Sequence, residues 1–491
     1  MKMKNRGTVA LGGLTAAVAL LAGLSNASAQ TAPAAPGGGS FPQSFLIPGT
    51  NTSLSVYGVV KATFQYNGGG QHDGDTQTTG GTPFHVSQLA LQGGGIAGTN
   101  SNNQDASLHG GLRGMGKAST LTFETRTPTD LGEVKTVLAM DYSLFSNQSN
   151  YVGQTTSTIK PSAGSGNTDA PRLLWAYGTI GPWLIGQYNS AFADNLLFPD
   201  VTDGASSPGQ LNTANIRQPQ IRYTYLAGNG LALSASLETQ QSGTLYISAG
   251  TVATAAATSA TVSSFVSDNT DTGGIVNLPS FNTGVAWDQP WGHLMARVGV
   301  SRNEVRNTQG IVSILGPAGI NNNGANNIKK WGFAVETGGY LNTWGQDQWK
   351  WLINYSKGVA NYSTDLSATS GGNMFCNGYT GSCQLISDLG ISTSYTHRFN
   401  SNWRSTAAFG MGFFSKPSNA AGLTNVAAGT ANAQLASLEK RHLTSQLNLV
   451  YSPLPGMIDI YMEWDHAERW VQASNTAGRT NKESVGFNFF W

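Results

Sequence analysis

The sequence predicts an all-β fold: a transmembrane antiparallel β-barrel of about 16 strands, with long extracellular loops and short periplasmic turns. Three observations lead to this prediction. The chain starts with an export signal, apolar and polar residues alternate with period two in many segments, and short and long connections alternate between those segments. A barrel that crosses a bilayer accounts for all three, because each strand presents one face to lipid and the other to the lumen.

The first 29 residues are predicted to be a signal peptide. Basic residues lie within the first six positions, an apolar run follows over residues 9–21, and a small-residue cleavage motif ends at Ala29. This order is typical of secretory signals. The alternative, a membrane anchor, needs roughly 20 apolar residues, and the run is shorter. The mature chain is expected to begin at Gln30, with a Pro/Gly-rich periplasmic linker over 30–52 and the barrel over 53–491.

The composition excludes several classes of protein. Only 11% of the residues are charged, whereas about 25% is usual in soluble domains. Beyond the signal, no apolar stretch reaches the roughly 20 residues of a membrane helix, which argues against a helical inner-membrane protein. The net charge of +1 gives no basic footprint for nucleic acid, so no nucleic-acid partner is expected.

The period-two pattern is clear from Ser53 onward, where Val60 and Phe64 share one predicted face and Ser55 and Lys61 share the other. Sixteen strands are predicted in this way, and they begin near residues 53, 112, 133, 170, 182, 219, 230, 281, 291, 330, 349, 387, 401, 441, 457 and 482. Outward aromatic residues are expected to form girdles at the membrane interfaces. The girdle candidates are Trp175, Tyr177, Trp349, Trp351, Tyr355, Tyr451 and Trp464.

The connections alternate in length along the whole chain. Short ones are predicted at 127–132, 181–182, 227–229, 288–290, 342–348, 399–402 and 452–456. Long ones are predicted at 67–111, 146–169, 190–218, 240–280, 304–329, 359–386, 415–440 and 466–481. Bacterial outer-membrane barrels have this asymmetry because their periplasmic turns are short and their extracellular loops are long. A soluble β-sandwich gives no reason for it.

Cys376 and Cys383 are the two cysteines of the chain. In an exported protein such a closely spaced pair is expected to form a local disulfide. The alternatives are two free thiols or a pair of metal ligands, and no histidine lies near them in the sequence. No metal site and no cofactor are predicted.

The period-two alternation places a set of charged side chains on the predicted inner face of the barrel, toward the lumen. The basic members are Lys61, Arg126, Lys135, Arg172, Arg222, Arg297, Lys350 and Arg404. The acidic members are Glu124, Asp141, Glu238, Glu336 and Glu463. Charges at a narrow point of a low-dielectric wall select ions by their field. The alternative is that these charges line a wet wall and pair with one another.

Four segments resemble DcaP-type porins: 45–54 (FLIPGTNTSL) with 57–61 (YGVVK), 127–136 (TPTDLGEVKT), 172–178 (RLLWAYG) and 217–225 (RQPQIRYTY). The resemblance is clear over about residues 44–226 and looser beyond. It implies a sixteen-stranded homotrimeric porin for anionic solutes such as dicarboxylates. The family's N-terminal coiled-coil segment has no counterpart here, so a trimer must form through barrel contacts.

The segment 190–218 is the candidate for a constriction loop, because it follows the fifth predicted strand, where porins commonly fold a loop inward. It carries Asp194, Asp200 and Asp203 and ends near Arg217. Acidic side chains opposite basic strands would create a transverse field in the pore. Arg217 and Arg222 lie where the resemblance is strongest and are the first candidates for an anion preference. The alternative is an ordinary surface loop.

The sequence therefore predicts an outer-membrane porin for passive diffusion of small hydrophilic solutes, in contact with outer-membrane lipid and lipopolysaccharide. The alternative is an adhesin or structural barrel that works through its long loops and has no open pore. Enzyme activity is not expected, because the chain has no HExxH motif, no GxSxG elbow and no P-loop. A hydrolase embedded in the barrel is the remaining enzymatic alternative.

Overall fold

The computed structural model describes residues 38–67, 111–116, 119–145, 169–201, 217–239, 246–247, 251–254, 257–261, 265–267, 278–307, 327–359, 362, 373–377, 382–418, 439–472 and 477–491. The predicted signal peptide 1–29 lies outside these residues. None of the described helices is long and apolar enough to cross a membrane.

Sixteen strands form the wall, and all strands are numbered here in chain order. The wall strands are β2 (Ser53–Asn67), β4 (Thr120–Thr129), β5 (Gly132–Phe145), β6 (Asp169–Ile180), β7 (Trp183–Asn189), β8 (Arg217–Gly228), β9 (Leu231–Glu238), β14 (Ser280–Gln289), β15 (Gly292–Asn307), β16 (Asn327–Asn342), β17 (Gln348–Lys357), β20 (Ser387–Arg398), β21 (Trp403–Phe414), β22 (Glu439–Leu454), β23 (Ile458–Val471) and β24 (Ala477–Phe490).

Short strands lie in the segments beside the wall. They are β1 (Phe45–Leu46), β3 (Gly111–Met115), β10 (Tyr246–Ile247), β11 (Thr251–Thr254), β12 (Ala257–Thr261), β13 (Phe265–Ser267), β18 (Met374–Asn377) and β19 (Ser382–Leu385). One 3-10 helix, Asn195–Leu197, follows β7. The second predicted strand, expected to begin near residue 112, is divided between β3 and β4, and both pair with β2.

The wall closes on itself because its first and last strands pair. Each wall strand is antiparallel to its neighbours, and β24 pairs with β2 from Phe490 opposite Val59 to Lys482 opposite Asn67. The C-terminal Trp491 continues this ladder, since its backbone exchanges both hydrogen bonds with Gly58. On its other side, a Cβ on Gly58 would stand 2.2 Å from the carbonyl oxygen of Thr120 on β4, so β2 and β4 approach more closely there than a larger residue allows. The predicted antiparallel barrel is confirmed.

The packing is inverted relative to a soluble protein. Asn303 and Asn354 point inward and are fully buried, whereas Phe64 and Ile185 point outward with 53% and 55% of their surface exposed. An outward apolar face is stable only against lipid, since water would leave that area unburied. Period-two alternation on the sixteen strands therefore separates a lipid face from a polar interior.

The seven predicted short turns are confirmed, and they lie together at one end of the barrel, called the short-turn end below. The last predicted long connection, 466–481, is wrong: β23 and β24 run further than expected and leave only residues 472–476 between them. Its polar residues are strand residues that pair across the ladder, such as Glu468 with Arg479 at 2.8 Å and Asp465 with Lys482 at 2.7 Å.

The side chains of Trp175 and Tyr177 face the lumen, so their prediction as outward girdle residues is wrong. The ladder between β5 and β6 shifts register: Leu173 pairs with Met140, whereas Trp175 pairs with Ala139. The extra residue, Leu174, forms a bulge. Compared with strict alternation, a bulge moves every later residue of the strand to the opposite face. Outward exposure of the predicted girdle residues Trp349, Tyr355 and Trp464 is observed.

The described part of the predicted linker, residues 38–52, is folded against the barrel. Strand β1 pairs with the start of β2, Phe45 opposite Leu54, and the backbone N–H of Ser40 donates to Ser53 Oγ at 2.9 Å. The guanidinium of Arg126 stands 4.4 Å above the ring of Phe41. These contacts hold the segment beside the short-turn end of the lumen. Residues 38–52 are therefore packed against the barrel and do not form a free linker.

The connection from β17 to β20 also folds onto the barrel. Strands β18 and β19 form a hairpin in which Cys376 lies directly opposite Cys383, and Cys383 is disulfide-bonded. The hairpin pairs in parallel with β10, a strand of the connection between β9 and β14. Two long connections are thereby joined at the end of the barrel opposite the short turns.

Candidate functional site

Residues 190–201 leave β7 and turn into the barrel interior, and this segment is called the constriction loop below. Ser190 starts the turn, since its Oγ accepts the backbone N–H of Phe192 at 3.1 Å. The side chain of Asp194 then caps the 3-10 helix by accepting the N–H of Leu196 at 3.0 Å. Residues 202–216, with the predicted Asp203, lie outside the described residues.

The root of the constriction loop is fixed by buried hydrogen bonds to two wall strands. Glu238 on β9 accepts the backbone N–H of Ala191 at 2.7 Å. Arg297 on β15 donates through Nη1 to the carbonyl oxygen of Ala191 at 2.6 Å and to that of Ala193. These contacts satisfy backbone groups that would otherwise be buried without partners.

The carboxylate of Asp194 is the second anchor. Its Oδ2 accepts from Nη2 of Arg297 at 2.6 Å and lies 3.2 Å from Nε2 of His293. Nδ1 of the same imidazole lies 2.7 Å from Asp288 at the end of β14. Burial alone would raise the pKa of Asp194, but the hydrogen bond to His293 and the charge of Arg297 outweigh it, so the pKa is lowered.

The distal end of the loop is held on the far side of the barrel. Lys350 Nζ on β17 donates to the carbonyl oxygen of Phe198 at 2.7 Å. Arg404 on β21 donates through Nε to Asp200 Oδ2 at 2.6 Å and pairs with Asp459 at 2.8 Å. Arg404 is the second residue of β21 and lies beside the short turn that precedes this strand. The distal end of the loop therefore lies near the short-turn end of the lumen.

The predicted cations therefore divide into two groups. Arg297, Lys350 and Arg404 hold the constriction loop. The other members lie on strands β2 to β8, and these are Lys61, Arg126, Lys135, Arg172, Arg217 and Arg222. This second region is called the basic wall below.

The basic wall carries charge at several heights. Arg126 on β4 and Lys135 on β5 lie near the short-turn end, and both bind Glu124, at 2.7 and 3.2 Å. Arg172 near the other end forms a two-contact pair with Asp141, 3.0 Å from Nε and 2.6 Å from Nη2.

Arg217 and Arg222 lie on β8, where the wall meets the constriction loop. Arg217 is close enough to Arg172 and Asp141 for their charges to act on it. Arg222 donates to the carbonyl oxygen of Asn189 at 2.5 Å, and its guanidinium stands 5.5 Å from the ring centre of Tyr188.

In the ion pairs that Glu124 and Asp141 form on the basic wall, the cation is more exposed than its acid, whereas Glu133 at the short turn, 3.7 Å from Arg126, is 50% exposed. The exposed side-chain fraction is 32% for Arg126 and 28% for Lys135, but 9% for the Glu124 they share. It is 26% for Arg172 and 7% for Asp141. Glu124 and Asp141 are thus more buried than their cations, so these pairs present positive charge although the residue count is nearly balanced.

Asp200 also departs from this pattern, because its side chain is 37% exposed and that of its partner Arg404 is 16% exposed. It lies on the constriction loop rather than on the basic wall. The loop therefore presents a partly neutralised acid to the lumen, on the side away from β4 and β5.

The aromatic side chains on the basic wall were not expected from the sequence. The ring of Tyr188 lies 5.6 Å from Trp175 and 4.6 Å from Tyr177, and Tyr57 donates to Glu124 at 3.3 Å. The bulge at Leu174 brings the rings of Trp175 and Tyr177 inward, and a period-two pattern in the sequence cannot reveal a bulge.

Other functional residues were missed because they are uncharged or lie in loops. Asn448 on β22 donates to the carbonyl oxygen of Asp200 at 2.7 Å, and Tyr362 packs against the loop root. The predicted acids Glu336 and Glu463 face inward and accept from Asn354 and Asn448, each at 3.2 Å.

The comparisons with known proteins agree with this architecture. The family model described as "Porin subfamily" matches residues 43–487. The solved outer-membrane channel DcaP of Acinetobacter baumannii has the same fold: the TM-score is 0.58, with 17% identity over 90% of this chain and 98% of that chain. The predicted resemblance to DcaP-type porins is thereby confirmed.

A curated relative gives a shorter match. Porin Omp2a of Brucella melitensis is 26% identical over 198 residues, which are 40% of this chain and 43% of that protein. The alignment thus spans less than half of the relative's length. The family model, by contrast, covers most of this chain, and its match agrees with the closed barrel and the inward loop. The chain therefore belongs to the porin subfamily of bacterial outer-membrane proteins.

Proposed function

We propose that the barrel is a diffusion channel for small hydrophilic solutes and that it prefers anions. The observation that carries the preference is the unequal exposure within these pairs of the basic wall: Arg126, Lys135 and Arg172 are exposed, and Glu124 and Asp141 lie behind them. A passing ion interacts first with the exposed cations, because the acids are farther away.

The constriction loop strengthens this effect by narrowing the lumen. It crosses the interior and is held by Arg297, Lys350 and Arg404, so the remaining path runs beside strands β4 to β8. In a narrow passage with low-dielectric walls, fixed charges act over the whole cross-section. The basic residues at successive heights of that wall give an anion several favourable positions instead of one deep site, and this arrangement favours passage over trapping.

The test is single-channel recording of the purified barrel in a planar bilayer under a salt gradient. Stepwise currents with a reversal potential on the anion side are expected. A Lys135→Gln, Arg172→Gln double variant should move the reversal potential toward cation preference. The matched control is Lys329→Gln, which removes a cation outside the basic wall and should leave the reversal potential unchanged. A cation-side reversal potential in the unmodified protein would overturn the anion preference.

We also propose that the barrel forms a homotrimer through the outer face of β4 to β6. At the short-turn end, β14 to β17 carry a girdle of exposed tryptophans, including Trp287, Trp291 and Trp349. At the same end, outward positions of β4 to β6 include small or polar residues such as Thr136 and Gly178, and the exposed Tyr142 and Leu173 lie nearer the other end. A face without interfacial aromatic anchors suits contact with another copy better than contact with lipid headgroups.

This proposal is tested by cross-linking. With one introduced cysteine per protomer, Thr136→Cys should give disulfide-linked dimers upon oxidation, and the same change at the lipid-facing Ile353 should not. Exclusive cross-linking through the position on β17 would contradict the assigned face.

A further inference from the structure

An apolar cluster lies inside the barrel, where most inward side chains are polar. Phe192 of the constriction loop stacks on Tyr362, with ring centres 4.3 Å apart and planes 23° apart. Val359, Ala334 and Ala193 complete the cluster, and all of its members except Ala193 are 0% exposed. Removing these surfaces from water favours the contact, so the ring pair holds the root of the loop independently of the ion pairs.

The wall is shaped to receive this ring pair. Gly299 on β15 faces it, and a Cβ there would stand 3.0 Å from Tyr362 Cε2 and 3.2 Å from Phe192 Cδ2. Both rings therefore occupy the space that a larger residue would need.

The hydroxyl of Tyr362 adds a directional contact. It donates to Oδ1 of Asn282 on β14 at 2.8 Å, and the hydroxyls of Ser190 and Ser280 are also hydrogen-bonding partners. Burial raises the pKa of Tyr362, so the phenol keeps its proton and remains a donor. One side chain thus joins the first residue of the constriction loop to the barrel wall.

Tyr362 belongs to the connection between β17 and β20, not to the constriction loop. The start of this connection is rigidly placed: Gly358 N–H donates to the carbonyl oxygen of Ile386, and Asn303 Nδ2 donates to the carbonyl oxygen of Gly358 at 2.7 Å. The same connection continues into the hairpin of β18 and β19. The position of the ring is therefore set by the outer connection and by β15.

We propose that Tyr362 is a positioning residue that holds the root of the constriction loop against β14 and β15, and that it thereby links the connection between β17 and β20 to the width of the pore. This inference rests on the proposed function, because it assumes that the constriction loop narrows a conducting path. The ion pairs of Asp194 and Asp200 hold the middle and distal parts of the loop, whereas Tyr362 contributes to holding the root together with Glu238 and Arg297.

The test compares Tyr362→Ala with the matched control Tyr355→Ala, a lipid-facing tyrosine on β17. Single-channel conductance, current noise and heat-modifiable migration on gels are measured for each. With Tyr362→Ala, conductance and noise should rise while the barrel remains folded, because Phe192 loses its partner and the loop root moves. The Tyr355→Ala control should keep the conductance and noise of the unmodified barrel.

A merely structural role would lower thermal stability without changing conductance or noise, and this result in folded Tyr362→Ala would overturn the inference. If that variant does not fold, Tyr362→Phe decides: it keeps the stacked ring and loses the hydroxyl, so excess noise supports the inference and unchanged noise overturns it. The unmodified barrel separates the two proposals. If it carries no current, the proposed channel fails; if it conducts and Tyr362 variants behave like it, only this inference fails.

Discussion

Asp194 and Arg297 are 103 positions apart in the chain and meet inside the barrel at 2.6 Å. Arg297 also donates to the carbonyl oxygens of Ala191 and Ala193, so one guanidinium fixes three points of the constriction loop. An arginine suits this task because its donors lie in a rigid planar fork. The geometry of the pore at this height therefore depends strongly on a single wall residue.

Arg297→Gln should loosen the root and the middle of the constriction loop, which Arg297 contacts at Ala191, Ala193 and Asp194. Removing one member of a buried ion pair lowers the stability of the fold by roughly 3 kcal/mol or more. His293 would remain the partner of Asp194, but it does not bind the backbone of the loop. We expect higher conductance with irregular current levels, together with a lower unfolding temperature. Arg302→Gln is the control, since that arginine pairs with Glu304 instead of the loop. Equal effects of the two variants would argue against a special role of Arg297.

Acid should release the loop only at low pH. The pKa of Asp194 is lowered from the ordinary 3.8, so the stabilisation from its charge is present above that value and is lost as the pH falls through the lower folded-state pKa. Conductance recorded against pH should stay constant from neutral pH down to about 4 and change below it. Asp194→Asn should already show the changed level at neutral pH. A transition near pH 6 in the unmodified barrel would point to a histidine instead.

Glu124→Gln should increase the anion preference. The change leaves Arg126 and Lys135 without their shared counter-charge, 2.7 and 3.2 Å away. Reversal potentials in a salt gradient measure the effect. Glu133→Gln makes the same change at an exposed residue beside the short turn and should shift the potential less. An equal shift in both variants would mean that net charge, not position in the lumen, sets the selectivity.

Trp175 should behave as a water-facing tryptophan despite its place in a membrane strand. Its Nε1 donates to Asn189 at 3.1 Å inside the barrel, whereas Trp349 lies 42% exposed on the outer face. Trp175→Phe should remove a fluorescence component that iodide quenches, and Trp349→Phe one that brominated lipid quenches. The opposite assignment would show that the bulge at Leu174 is absent.

Replacing Cys383 by serine should have a local effect. A disulfide that closes a short loop contributes roughly 2 kcal/mol of stabilisation by the chain-entropy estimate. The hairpin of β18 and β19 lies outside the sixteen-stranded wall. Faster proteolysis within residues 374–385 is expected, with heat-modifiable migration of the barrel unchanged. Loss of the folded barrel would show that the disulfide supports the wall itself.

Most of the wall could be predicted because period-two alternation needs only neighbouring residues. Strands β5, β15 and β23 begin within one residue of the predicted starts at 133, 291 and 457. The connection 466–481 was misjudged because inward strand residues near a barrel rim are as polar as loop residues. Composition alone cannot separate those two environments.

The candidate site was less accessible to sequence reasoning. The period-two pattern places Arg297 and Arg404 on the inner face of the barrel. Whether they line a water-filled lumen or hold a loop depends on partners more than 100 positions away in the chain. The ring of Tyr362 could not be expected at all, since it lies in a connection without periodicity. Long-range contacts of this kind follow from the closed topology, not from local pattern.

Leu174 separates two regular halves of β6. Leu173 pairs with Met140 and Trp175 with Ala139, so these two residues would alternate normally between the faces if Leu174 were absent. A single-codon deletion of Leu174 would therefore remove the bulge and leave Trp175 and Tyr177 in the lumen. Such a bulge is a position at which evolution can change the length of a barrel strand in one genetic event and keep its pore chemistry.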